Sequence, residues 1–70
     1  GNSALSLNTT GGTNNTAIGS GSLSSNTSGG SNTAIGKGSL NTNSTGSSIT
    51  AIGMNALENN TTGSNNTAIN

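Results

Sequence analysis

The triplet Thr-Ala-Ile recurs at residues 16, 33, 50 and 67, seventeen residues apart each time. A fixed period of that length constrains the fold more than any single residue does. A chain that repeats one short unit stacks copies of one element, each burying its apolar side against the next. Other letters keep the same phase: Leu23, Leu40 and Leu57; Gly19, Gly36 and Gly53; Gly29, Gly46 and Gly63. The first unit carries one extra residue between Gly11 and Thr16, and insertions of that kind sit in turns.

Each unit reads as a short strand, a Gly turn, a second short stretch ending in Ser-Leu or Ala-Leu, and a polar loop. Two strands and two turns make one coil of a β-solenoid, which climbs by about 4.8 Å so that each strand pairs with its copy in the next coil. The fold class expected is all-β: a β-solenoid or β-roll of about four 17-residue coils with two short parallel strands per coil. Residues 1–70 form one tandem array aligned on Thr16, Thr33, Thr50 and Thr67, expected to be a stretch of a longer one. Gly19, Gly36 and Gly53 are expected at positive φ, because their fourth counterpart is Asn70 and Asn best tolerates a left-handed backbone.

In a strand, alternate side chains point to opposite faces. Ile18, Ile35, Ile52 and Ile69 are therefore expected to face Leu23, Leu40 and Leu57 as the core of a thin roll. Ala17, Ala34, Ala51 and Ala68 then line the other face, where small side chains would let a second chain approach, and are the expected subunit contacts. The six phased glycines mark the turns.

Composition limits what such a stack can do. Asn, Thr, Ser and Gly account for 51 of the 70 residues, and Cys, His, Pro, Asp and aromatic residues are absent. No disulfide is possible and no cofactor or metal is expected; repeats that bind calcium in β-rolls rely on Asp. Catalysis needs a tuned acid or base beside a nucleophile, and the lone carboxylate, Glu58, is far in sequence from the lone cation, Lys37. No catalytic residue is therefore assigned and no enzyme is expected. "GKGS" at Gly36 to Ser39 lacks the spacing of a phosphate loop. With one positive and one negative charge there is no basic stripe for nucleic acid, and no apolar run approaches the ~18–20 residues that cross a bilayer. Sequons place Asn8, Asn26, Asn43 and Asn60 in one polar loop as glycosylation candidates, with further matches at Asn14, Asn59 and Asn65.

The segments "NNTAIG" at Asn14 to Gly19, "SNTAIG" at Ser31 to Gly36 and "ITAIG" at Ile49 to Gly53 resemble the Asn-Ser-Val-Ala-Ile-Gly signature in the heads of YadA-type trimeric autotransporter adhesins. Similar arrays occur in fibre proteins of phages and algal viruses and in bacterial surface proteins. The resemblance covers the whole chain and implies a left-handed parallel β-roll in which three identical chains lie side by side. By correspondence Thr16, Thr33, Thr50 and Thr67 replace an inward Val, while the Ala and Ile rows are kept; the family's coil is commonly shorter.

The resulting expectation is a non-catalytic structural and adhesive segment of a fibre on a cell or virion surface, self-associating as a homotrimer or filament, with a surface or glycan receptor as its partner. The competing expectations are a single-chain solenoid that binds ice or carbohydrate, and a small subunit of a self-assembling filament. With one Thr per strand, on a face shared with Ile, the Thr row by itself makes a poor case for ice.

Overall fold

Thr and Ile are β-branched and favour the pleated conformation, and the triplet that carries them forms the strand of every coil. The computed structural model describes residues 12–70. In it β1 (Thr16–Ile18), β2 (Thr33–Ile35), β3 (Thr50–Ile52) and β4 (Thr67–Ile69) form one parallel sheet in chain order. Register is direct: Thr16 stands beside Thr33, Ala17 beside Ala34, Ile18 beside Ile35, and so on through β4. Each coil therefore repeats the one before it, and the described residues contain no helix.

Ladder bonds continue past both ends of the triplet. The Thr33 amide donates to the Ile49 carbonyl at 2.8 Å, and the Gly53 amide to the Ile35 carbonyl at 2.7 Å. The second stretch of the coil differs from the expectation of two strands per coil. It is tied between coils by Leu23 N donating to Ser39 O and Leu40 N to Ala56 O, both 3.0 Å. It is nonetheless a turn, because Leu23, Leu40 and Leu57 all lie at φ 50° and Gly21, Gly38 and Asn55 at φ 60–76°. A left-handed Leu costs about 1–2 kcal/mol. Its side chain gains burial in exchange, since the bend points Leu23 and Leu40 into the coil, where both are wholly inaccessible.

The strand faces are the reverse of the expectation. Ala34 and Ala51 are buried, with Ala17 packed against them, while Ile18 is 56% exposed, Ile69 is 72% exposed, and Ile35 and Ile52 are half-buried. The core consists of Leu23, Leu40, Ala34, Ala51, Ala56 and Ile49, with Leu57 against it. Space explains the inversion. Leu and two columns of buried Asn already fill the narrow interior, so the strand side has room for a methyl group and none for a sec-butyl. Leu40→Ala is expected to cost about 2–5 kcal/mol, read as a lowered denaturation midpoint; Ile35→Ala, on the outer face, should cost well under half as much.

Candidate functional site

Two column systems run along the solenoid, one inside and one outside. The inner system is built from amides. Asn26 and Asn43 are fully buried. Asn43 Nδ2 donates to Asn26 Oδ1 at 3.0 Å and to the Gly46 carbonyl at 3.1 Å, and Asn60 Nδ2 repeats the pattern onto Asn43 Oδ1 and the Gly63 carbonyl, both at 3.0 Å. A second column lies just before the strands. Asn15 Oδ1 accepts from the Asn32 amide at 2.9 Å, and Asn32 Oδ1 from the Ile49 amide at 3.0 Å. Asn32 Nδ2 donates to the same Gly46 carbonyl at 2.8 Å, and Asn15 Nδ2 to that of Gly29 at 2.9 Å. The two columns thus meet on the loop glycine carbonyls, and among the described residues no buried side-chain polar atom lacks a partner.

That meeting explains the Gly29, Gly46 and Gly63 row. None of the three is at positive φ; they are glycines because a side chain would have nowhere to go. A Cβ on Gly46 would press on the Gly63 carbonyl oxygen, on Asn43 Oδ1 at 2.5 Å and on Ile49 Cδ1 at 2.9 Å. Gly19, Gly36 and Gly53 are at φ 121–125°, positive as expected. Asn70 does not share that conformation: this φ lies beyond the left-handed well near 57° that Asn enters.

The ladder also corrects the glycosylation candidates. Both Nδ2 hydrogens of Asn43 and of Asn60 are engaged, and Asn26 and Asn43 are shut away from solvent, so a sugar cannot be carried there in the folded chain. Asn8 lies outside the described residues. Expression in a glycosylating host followed by peptide mapping is expected to find Asn26 and Asn43 unmodified, and a glycan on Asn43 of folded protein would contradict the ladder. The sequence did carry a signal for these columns. Asn26, Asn43 and Asn60 keep the 17-residue phase while their neighbours drift among Ser, Thr and Asn.

The outer system is the face of the sheet turned away from the core. It presents Thr16, Thr33, Thr50 and Thr67 in one column and Ile18, Ile35, Ile52 and Ile69 in another, with every strand alternating outward, inward, outward. Ala17, Ala34, Ala51 and Ala68 point inward, so the expected Ala contact surface belongs to the chain's own interior. Two Thr hydroxyls elsewhere are claimed by the chain, those of Thr27 and Thr42, which donate to the Ser44 and Glu58 carbonyls, whereas those of Thr45, Thr61 and Thr62 at the loops make no such bond among the described residues. Those of the outer column make no such bond among the described residues.

The outer face is also uncharged, because Lys37 follows the Gly turn and Glu58 lies in the second stretch. The described residues contain no pocket and no cluster of His, Cys, Asp or Glu. A regular, neutral surface of hydroxyls and methyls is therefore what the chain offers to a partner. The chain matches no protein-family model, no curated protein and no solved structure.

Proposed function

We propose that this chain is a non-catalytic structural and adhesive segment of a fibre on a cell or virion surface, a solenoid that holds its ends apart and adheres through its Thr/Ile face. The observation that carries this reading is the contrast between the two column systems. Inside, no buried side-chain polar atom lacks a partner among the described residues; outside, Thr and Ile stand in register from strand to strand, and the four Thr hydroxyls make no hydrogen bond among those residues. The ladder ties successive coils at nearly every turn, which suits a spacer that must resist proteolysis outside a cell.

The test is retention of chain-coated beads on solid surfaces under flow. Thr33→Lys with Thr50→Lys alters only the outer face and is expected to abolish retention, whereas Ser28→Lys with Thr45→Lys, at exposed loop positions, should leave it intact. Equal retention of both variants would overturn the reading.

A second reading follows from the exposure of Ile18 and Ile69. With the Ala row consumed by the core, a side-by-side homotrimer would have to close on this same Thr/Ile face. Sedimentation equilibrium separates the two readings, since the adhesive face requires a chain near 6.6 kDa and the closed trimer three times that mass.

A further inference from the structure

We propose that the Thr/Ile face binds the ordered water of an ice surface; the proposal rests on the adhesive reading and names what is held. The first argument is area. Three residues at about 3.3 Å make a face only about 10 Å wide, and each coil adds about 50 Å² to it. A stable protein interface buries about 800 Å² on each partner. Such interfaces are anchored by Trp, Tyr and Arg, and this chain has none of them. A sugar partner would find no pocket among the described residues and no aromatic ring to stack on. A flat, neutral, periodic surface without limit in two directions makes none of those demands.

The second argument is the mesh. Thr and Ile of one strand stand two residues apart, about 6.6 Å, and successive coils stand about 4.8 Å apart. Tetrahedral water with an O···O distance of about 2.75 Å repeats every 1.63 such lengths within a layer, about 4.5 Å. Perpendicular to the layer it repeats every 2.67, about 7.3 Å. The two meshes agree to about a tenth. Across four coils the offset along the solenoid accumulates to about 1 Å, less than the radius of a methyl group.

The third argument is chemistry. Each free Thr hydroxyl offers one donor and two acceptor positions. The Thr γ-methyl and the Ile methyls cannot hold single waters, and they order the layer above them into a cage. No ammonium or carboxylate stands on the face to pull that layer into its own hydration shell.

The experiment is slow growth of ice from a solution of the full chain, measuring the fraction of protein taken into the ice and the shape of the crystals, with sedimentation run in parallel. The parent chain is expected to concentrate in the ice and to facet it. Thr33→Lys with Thr50→Lys is expected to be excluded like an unrelated soluble protein, while Ser28→Lys with Thr45→Lys partitions as the parent does. Circular dichroism confirms that both variants are folded. A monomeric parent that is excluded from ice yet adheres to another surface through the same face overturns the ice proposal and leaves the adhesive reading standing. A trimer whose Thr/Ile face is protected overturns both. Uptake into ice that the two Lys leave unchanged overturns the assignment to this face.

Discussion

Gly36→Ala is expected to abolish cooperative thermal unfolding of the chain. Gly36 sits at φ 125°, a region that costs a residue with a side chain about 1–3 kcal/mol. The new methyl would also lie 2.6 Å from the carbonyl carbon and oxygen of Gly53 and 3.1 Å from the Met54 amide nitrogen. Those atoms are backbone, and Gly53 is held to the coil below by its 2.7 Å bond to the Ile35 carbonyl, so relief requires prising two coils apart. Crowding of that kind adds about 1–3 kcal/mol. The sum is comparable with the lower end of the ~5–15 kcal/mol that stabilises whole domains, and a 70-residue chain belongs at that end. A melting temperature within a few degrees of the parent would show that the coils are not in such close contact.

Asn43→Ala is expected to shift the urea midpoint by nearly as much. The substitution strips Asn26 Oδ1 and the Gly46 carbonyl of a donor and leaves an Asn60 Nδ2 hydrogen without its acceptor. The Gly46 carbonyl keeps its bond from Asn32 Nδ2; a buried polar group that does lose its partner costs about 1–3 kcal/mol, and the cavity adds to it. Asn59→Ala, next along the chain from the ladder and exposed, should move the midpoint by less than about 0.5 kcal/mol in equivalent stability. Equal shifts for the two variants would mean that the amide column contributes nothing.

The period, the strand triplets and the parallel register were all legible in the sequence, because a ladder forces identical positions to stack and so writes the coil length directly into the letters. Which face of the strand turns inward was not. Alternation separates Thr and Ile from Ala, and hydrophobicity alone sends Ile inside; the width of the interior decides otherwise. One residue did hold the clue. Ile49 stands in the column of Asn15, Asn32 and Asn66, it shares the parity of Ala51, and it is fully buried. An apolar side chain in that column marks the Ala side as the inner one.

The left-handed Leu row was hidden for a different reason. Leu has no local preference for φ 50° and adopts it only because the bend drives its side chain into the core and aligns its amide with the next coil. The outer face was misread with the strand. Once Ile is placed outside, the Thr column comes with it, and the outer face carries two registered columns, one of Thr and one of Ile.

The account turns on that orientation, and thiol labelling tests it most directly. The chain has no Cys, so Ala34→Cys and Ile35→Cys each introduce a single reporter at adjacent positions of β2. Under native conditions the half-buried Ile35→Cys is expected to react with a maleimide far faster than the chain unfolds, and Ala34→Cys to react only as fast as the chain unfolds. Rapid labelling of Ala34→Cys with protection of Ile35→Cys would turn the sheet over and contradict the account.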